Sequence, residues 1–213
     1  MLILGIDTSD KNVNISITEN EDVLYEIEVI TKRTEDITNL IDIAFKQINK
    51  EASDLKGIGV ITGPGGYTGV RTGVAVAKTL SQFIDIPIIG FNKIEAILLS
   101  YPEKKQISVN LDVKRDESYF CIANIIDSKI IYEKEPVAIK FEEVLNYVKE
   151  RKDTTFILND FKSKKELFEQ FENVDFDFYL KPSYLAILTY KAILDGKGKR
   201  FNDIEPFYIR TAI

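Results

Sequence analysis

The sequence contains no histidine. That removes the commonest general base, the commonest metal ligand and every Ser-His-Asp or Cys-His scheme. A zinc site is excluded with it, and only carboxylates remain to hold a metal, which leaves Mg²⁺ or Ca²⁺. Cysteine occurs once, as Cys121 in the apolar run Tyr119–Ile126, so no disulfide forms within the chain. Cys121 reads as a small buried hydrophobe. An excess of positive charge is also missing. The net charge is −6, a poor match to a stand-alone RNA or DNA binder, which needs clustered Lys and Arg. The one basic gathering, Lys191, Lys197, Lys199 and Arg200, reads as a solvated surface. No signal peptide or membrane span is evident, because MLILGIDTSD meets Asp7 early and lacks a basic start, so the cytoplasm is the expected location.

Glycine is absent from Tyr101 to Asp195, and nine of the eleven glycines lie at or before Gly90. They concentrate in GPGGYTGVRTGVAVAKTL, residues Gly63–Leu80. Gly63, Gly65, Gly66 and Gly69, with Pro64 among them, make a turn of unusual backbone geometry after the buried strand Gly57–Thr62. The spacing fits neither a P-loop nor a dinucleotide fingerprint. Gly65 and Gly66 could still offer N–H groups to an anion at the start of the helix Gly69–Phe83. Along that helix Gly69, Gly73 and Ala77 share one face. Two readings of the face stand open: packing inside its own domain, or close contact with a partner chain. In the second, Gly73→Leu breaks the contact and leaves the fold largely intact.

Read in order, the chain opens with strands Leu2–Ile6, Asn12–Thr18 and Val23–Ile30. A helix follows over Glu35–Lys50, with Ile37, Leu40, Ile41, Ala44, Phe45 and Ile48 on its apolar face and Thr34 as its cap. After Gly69–Phe83 come a strand Ile86–Gly90 and a helix Asn92–Ser100. Tyr101-Pro102-Glu103-Lys104-Lys105 marks the expected boundary between domains 1–100 and 101–213. The order then repeats: strands Ile107–Val113, Tyr119–Ile126 and Ile130–Val137, helix Phe141–Glu150, strand Thr155–Leu158, helix Lys164–Phe171, strand Phe176–Leu180, helix Ser183–Leu194. The first strand of each half finishes at an aspartate, Asp7 and Asp112. The expected class is α/β: two lobes, each a mixed sheet with a three-strand meander and flanking helices.

Four stretches, LILGIDTS, GPGGYTGVRTGVAVAKTL, LDVKRDESYF and EPFYIR, run from Leu2 to Arg210. On them the chain resembles the TsaB (YeaZ) family of the actin-like (ribonuclease H-like) ATPase superfamily. The glycine stretch is the most specific of the four. The resemblance implies a non-catalytic accessory subunit. Such a subunit binds and activates the paralogue TsaD, which forms threonylcarbamoyladenosine next to the anticodon of tRNA. It also implies the ATPase TsaE as a further partner, self-pairing when alone, and tRNA contact only through the complex. Its partner surface, carried onto this chain, falls on the two N-terminal helices, at Ile37, Leu40, Ile41, Gly69, Gly73 and Ala77. Departures are Thr34-Glu35-Asp36 where a histidine is common, and Gly66-Tyr67 where Ser-Phe is frequent.

Active members of the superfamily hold phosphates on glycine turns after the first strand of each lobe. Here those places read Asp7-Thr8-Ser9-Asp10 and Asp112-Val113-Lys114-Arg115-Asp116, with no glycine. No tightly bound cofactor is therefore expected, and at most weak ATP/Mg at a shared interface. Asp7 is a possible nucleotide or Mg²⁺ contact, or else an Asx turn at a strand end. Two other functions compete: an ATP- or sugar-phosphate-handling enzyme resting on Asp7 and Asp112, and a homodimeric scaffold. Peptidase signatures are absent.

Overall fold

The computed structural model describes residues 1–30, 36–101, 106–113, 116–127, 129–159 and 162–209. Its strands are β1 (Leu2–Asp7), β2 (Asn12–Glu19), β3 (Asp22–Ile30), β4 (Leu55–Gly63), β5 (Ile88–Asn92), β6 (Gln106–Val113), β7 (Glu117–Ile126), β8 (Lys129–Lys140), β9 (Thr155–Asn159) and β10 (Val174–Asp175). Its α-helices are α1 (Ile37–Gln47), α2 (Tyr67–Ile84), α3 (Lys93–Ser100), α4 (Phe141–Glu150) and α5 (Pro182–Leu194).

The chain forms two units. The first joins Met1–Ala96 to Lys181–Tyr208, and the second centres on Ile97–Leu180. This corrects the expected division at residue 100, since the segment from Lys181 returns to the first unit.

In the first unit the sheet order is β3-β2-β1-β4-β5. β1, β2 and β3 form the antiparallel meander, while β4 lies parallel to both β1 and β5. Alternation along the strands assigns two faces. Leu4, Ile6, Val13, Ile15, Ile17, Ile58 and Val60 turn one way and share a core with Ile37, Ile41, Ala44 and Phe45 of α1 and Val70, Val74 and Ala77 of α2. On the other side α5 lies over glycines. A Cβ on Gly5 would press on Ala186 and Ser16, one on Gly57 on Ile193, and one on Gly59 on Thr189. Strand glycines leave room for a close neighbour, here the Ile193 and Thr189 side chains and the backbone at Ala186, and that room seats α5 on this sheet. The Ser16 hydroxyl fixes the start of the helix by donating to the Pro182 carbonyl at 2.7 Å.

The second sheet repeats the order, β8-β7-β6-β9-β10, with β6 in the place of β1. Its α4 packs on Phe120, Ile122, Phe156 and Leu158. Two expected elements are corrected. Residues 162–167 form a 3-10 helix rather than an α-helix. Beyond it Phe168 N–H is bonded to Lys165 O and Phe171 N–H to Phe168 O, both at 2.9 Å, while Glu169 N–H to Lys165 O at 3.1 Å is a single wider turn that is not continued. The expected strand over Phe176–Leu180 is replaced by the short β10. The Asp175 carboxylate accepts the N–H groups of Asp177 and Phe178 at 2.9 and 2.8 Å, which takes them out of any ladder.

The expected cap Thr34, the linker residues 102–105, the hairpin residues 114–115 and Arg210 lie outside the described residues. Among those described, no helix is long and apolar enough to cross a membrane.

Candidate functional site

β4 ends at Gly63, whose φ of +122° only glycine adopts readily. The Gly63–Pro64 peptide is cis. The chain then turns through Gly65 and Gly66 into α2. This turn is fitted to another part of the same chain, the connection between β1 and β2. Gly66 N–H donates to Ser9 O at 2.6 Å. The Thr8 hydroxyl donates to Gly69 O at 2.7 Å. A Cβ on Gly65 would run into the Ser9 carbonyl, one on Gly69 into the Thr8 carbonyl, and one on Gly73 into the Thr8 hydroxyl. Gly69, Gly73 and Ala77 are all buried.

The partner-contact reading of these three residues is thus corrected: the groove at Gly69 and Gly73 is filled from within by Thr8, and Ala77 belongs to the hydrophobic core. Ile37 and Ile41, assigned to the same surface, are core residues, and Leu40 is half-buried against that core. Gly66 is corrected as an anion donor, because its N–H is already bonded to Ser9 O.

The β1–β2 turn carries buried charge. Asp7 is buried, and its Oδ1 accepts both Ser9 N–H at 2.8 Å and the Ser9 hydroxyl at 2.6 Å. This is the Asx turn that Asp7-Thr8-Ser9 implies. Asp10 pairs with the Lys93 ammonium, and Lys93 is only 3% exposed. Burial pushes the Asp7 carboxyl above its usual range; the Lys93 charge opposes that shift and Asp10 adds to it. Nothing in the sequence reading points to Lys93. Its only signal is a lysine at the joint between the buried strand Ile88–Asn92 and the apolar residues Ile94, Ala96, Ile97 and Leu98.

The remaining candidates do not gather into a site. Asp112 is exposed on the second unit. Cys121 is fully buried, its thiol pushed up to about 12 by that burial, in keeping with a packing role. In the basic gathering, Lys191 pairs with Glu21 and Lys197 with Asp195, both at 3.0 Å. Among the described residues no group of three or more His, Cys, Asp or Glu could hold a metal ion.

The outward face of α2 has a different character. Tyr67, Arg71, Ala75, Thr79 and Phe83 recur every four residues and are all exposed. Phe83 is 89% exposed and Tyr67 54%. The Arg71 guanidinium lies 3.8 Å over the Tyr67 ring and donates from Nε to the Tyr208 hydroxyl at 3.0 Å. Tyr208 stacks on Tyr67 with ring centroids 5.8 Å apart. The segment carrying Tyr208 is tied down by Phe207 N–H to Thr62 O at 2.7 Å and by Lys78 Nζ to Ile204 O at 2.8 Å. On α1 the exposed residues include Thr38, Asn39, Asp42, Ile43 and Lys46.

Comparison with known proteins agrees with this architecture. A protein-family model described as TsaD, tRNA N6-adenosine threonylcarbamoyltransferase, matches residues 28–190. The chain is 27% identical to the tRNA threonylcarbamoyladenosine biosynthesis protein TsaB of Bacillus subtilis, over 100% of this chain and 95% of that one. It is 30% identical to the tRNA N6-adenosine threonylcarbamoyltransferase of Caldicellulosiruptor bescii, over 48% of this chain and 37% of that protein. In structure it is similar to YeaZ from Pseudomonas aeruginosa, with a TM-score of 0.80 at 16% identity, covering 97% of this chain and 99% of that chain. The family match over most of the chain, the full-length similarity to TsaB and the shared fold make this chain a member of the TsaB (YeaZ) family of tRNA threonylcarbamoyladenosine biosynthesis proteins.

Proposed function

We propose that the chain is a non-catalytic accessory subunit that binds and activates a TsaD-type threonylcarbamoyl transferase through the outward faces of α2 and α1. The observation that carries this reading is the exposed stripe on α2. Its ends are aromatic and cationic, Tyr67 and Arg71 at one end and Phe83 at the other, and its centre is the small pair Ala75 and Thr79. A stripe with bulky ends and a low middle suits a helix laid across it. Tyr and Arg in a preorganised cluster are the residue types that dominate interface energy. Pinning of Tyr67, Arg71 and Tyr208 against one another lowers the ordering cost of binding. Support from the relatives is that the family model is a transferase model and the full-length relative carries a biosynthesis name. In the absence of TsaD the same face pairs two copies of this chain. A TsaE-type ATPase and tRNA meet the assembly, not this subunit alone.

Gel filtration with light scattering on the chain, alone and mixed with TsaD from the same genome, tests the reading. A heterodimer replacing the self-dimer is expected, together with faster threonylcarbamoyladenosine formation than TsaD gives alone. Arg71→Ala and Tyr67→Ala should each weaken the heterodimer by about 30-fold or more, the fold-change of a 2 kcal/mol hot spot, with the circular dichroism spectrum unchanged. No new species on mixing, or wild-type affinity in both variants, refutes it.

A further inference from the structure

A lysine only 3% exposed is rare, because removing an ammonium from water is costly unless a counter-charge and hydrogen bonds replace the water. Lys93 has that replacement in Asp10, with the buried Asp7 in the same turn. Two carboxylates at a strand end are the oxygen donors that a hard divalent cation needs. In this turn the positive charge beside them is covalently part of the chain. It is delivered from the far end of β5, where α3 begins and Asn92 Oδ1 accepts the Ile94 N–H at 2.8 Å.

The anion-binding half of such a site is also occupied. Gly66 N–H, at the head of α2, is bonded to Ser9 O. The room beside Gly65, Gly69 and Gly73 is filled by Thr8 and Ser9 of the chain itself. The donors and space that a phosphate would use therefore hold a peptide segment. Residues and geometry here do not fit a metal–nucleotide.

We infer that Lys93 is the resident cation of the β1–β2 turn, standing where a metal-dependent nucleotide site would need its ion, so that the first unit holds the turn by its own charge and binds no metal–nucleotide there. Any nucleotide required by an assembly containing this chain is then gripped by residues from elsewhere. The turn instead acts through Thr8 and Ser9, which fix the first two turns of α2, from which Tyr67 and Arg71 project. The inference does not rest on which partner the face of α2 meets.

The test uses the isolated chain, so its outcome is separate from that of the partner-binding experiment. Thermal unfolding is followed with EDTA, with MgCl₂, with MnCl₂ and with Mg-ATP, and Mg-ATP is also titrated by calorimetry. Wild type should show one Tm in all four conditions and no saturable heat. Lys93→Met should lower Tm by on the order of 10 °C, since it leaves the buried Asp7 and its neighbour Asp10 without a counter-charge. Asp10→Asn removes the carboxylate paired with the Lys93 ammonium and should also lower Tm. The double variant Asp10→Asn/Lys93→Met should recover much of the loss, because the pair is removed together. If Lys93→Met does not fold, Asp10→Asn and the double variant still decide. A Tm rise or saturable heat with Mg-ATP in wild type that Asp10→Asn abolishes would overturn the inference. So would a double variant no more stable than the sum of the single losses predicts.

Discussion

Thr8 and Gly69 are locked face to face: the Thr8 hydroxyl donates to the Gly69 carbonyl at 2.7 Å, and the Thr8 carbonyl occupies the space a Gly69 side chain would need. Gly73, one turn on, meets the same hydroxyl. The glycine face is thus a seat for the chain's own turn. Gly69→Ala and Gly73→Leu should therefore destabilise the monomer, by about 3 kcal/mol or more where backbone must move. This reverses the expectation that Gly73→Leu leaves the fold intact. Urea unfolding of both variants checks it. Wild-type midpoints with lost partner binding would return the face to the interface.

A second seat lies on the opposite side of the first sheet, under α5. A Cβ on Gly59 would collide with the Thr189 hydroxyl, which donates to Leu185 O at 2.7 Å within the helix. Gly59→Ala should cost on the order of 1–3 kcal/mol by overpacking. Thr189→Ala vacates that space and loses a buried hydroxyl's bond to the helix. In the Gly59→Ala background it should recover part of the loss, and a double-mutant cycle measures the coupling. Additive losses would mean that α5 does not press on β4 at this point.

Asp7 gives the stability a pH signature. Burial raises its carboxyl above the usual 3.8 in spite of Lys93. Between the usual value and the raised one the native state holds more protons than the unfolded state. Stability therefore falls as pH rises through that window, and this cost of Asp7 is fully present above it. Asp7→Asn keeps an oxygen for Ser9 and abolishes the charge. Unfolding midpoints measured from about pH 4 to 8 should fall less steeply in Asp7→Asn than in wild type. Identical slopes would remove Asp7 from the pH dependence.

Much of the fold is legible in the sequence because it rests on period. The alternation of Val13, Ile15 and Ile17 marks a half-buried strand, and β2 buries those residues with α1 and α2. Phe141–Glu150 is a helix between the expected residues, and the three-strand opening recurs in both halves. Period does not say what covers a face. On α2 the glycine stripe and the exposed stripe have the same four-residue repeat, about half a turn apart. Only the position of Thr8, 61 residues earlier in the chain than Gly69, decides which is covered. The placement of α5 is hidden for a related reason. Its helical pattern is clear, but its destination is written in Gly5, Gly57 and Gly59, strand residues set apart only by lacking side chains. Lys93 is hidden because its partner Asp10 lies 83 residues away, and charge pairing at that distance leaves no local trace.

The return of Lys181–Tyr208 to the first unit has a consequence in time. A ribosome delivers β1 to β5 early, then must make the whole of Ile97–Leu180 before α5 emerges. At ordinary elongation speed that interval is roughly 5–15 s. Throughout it, the side of the sheet floored by Gly5, Gly57 and Gly59 has no lid, whereas by its end the second unit has all its strands. The sheet begun first is thus closed only after every strand of the second unit has been made, and until then the seam that α5 later covers is open to proteases and chaperones.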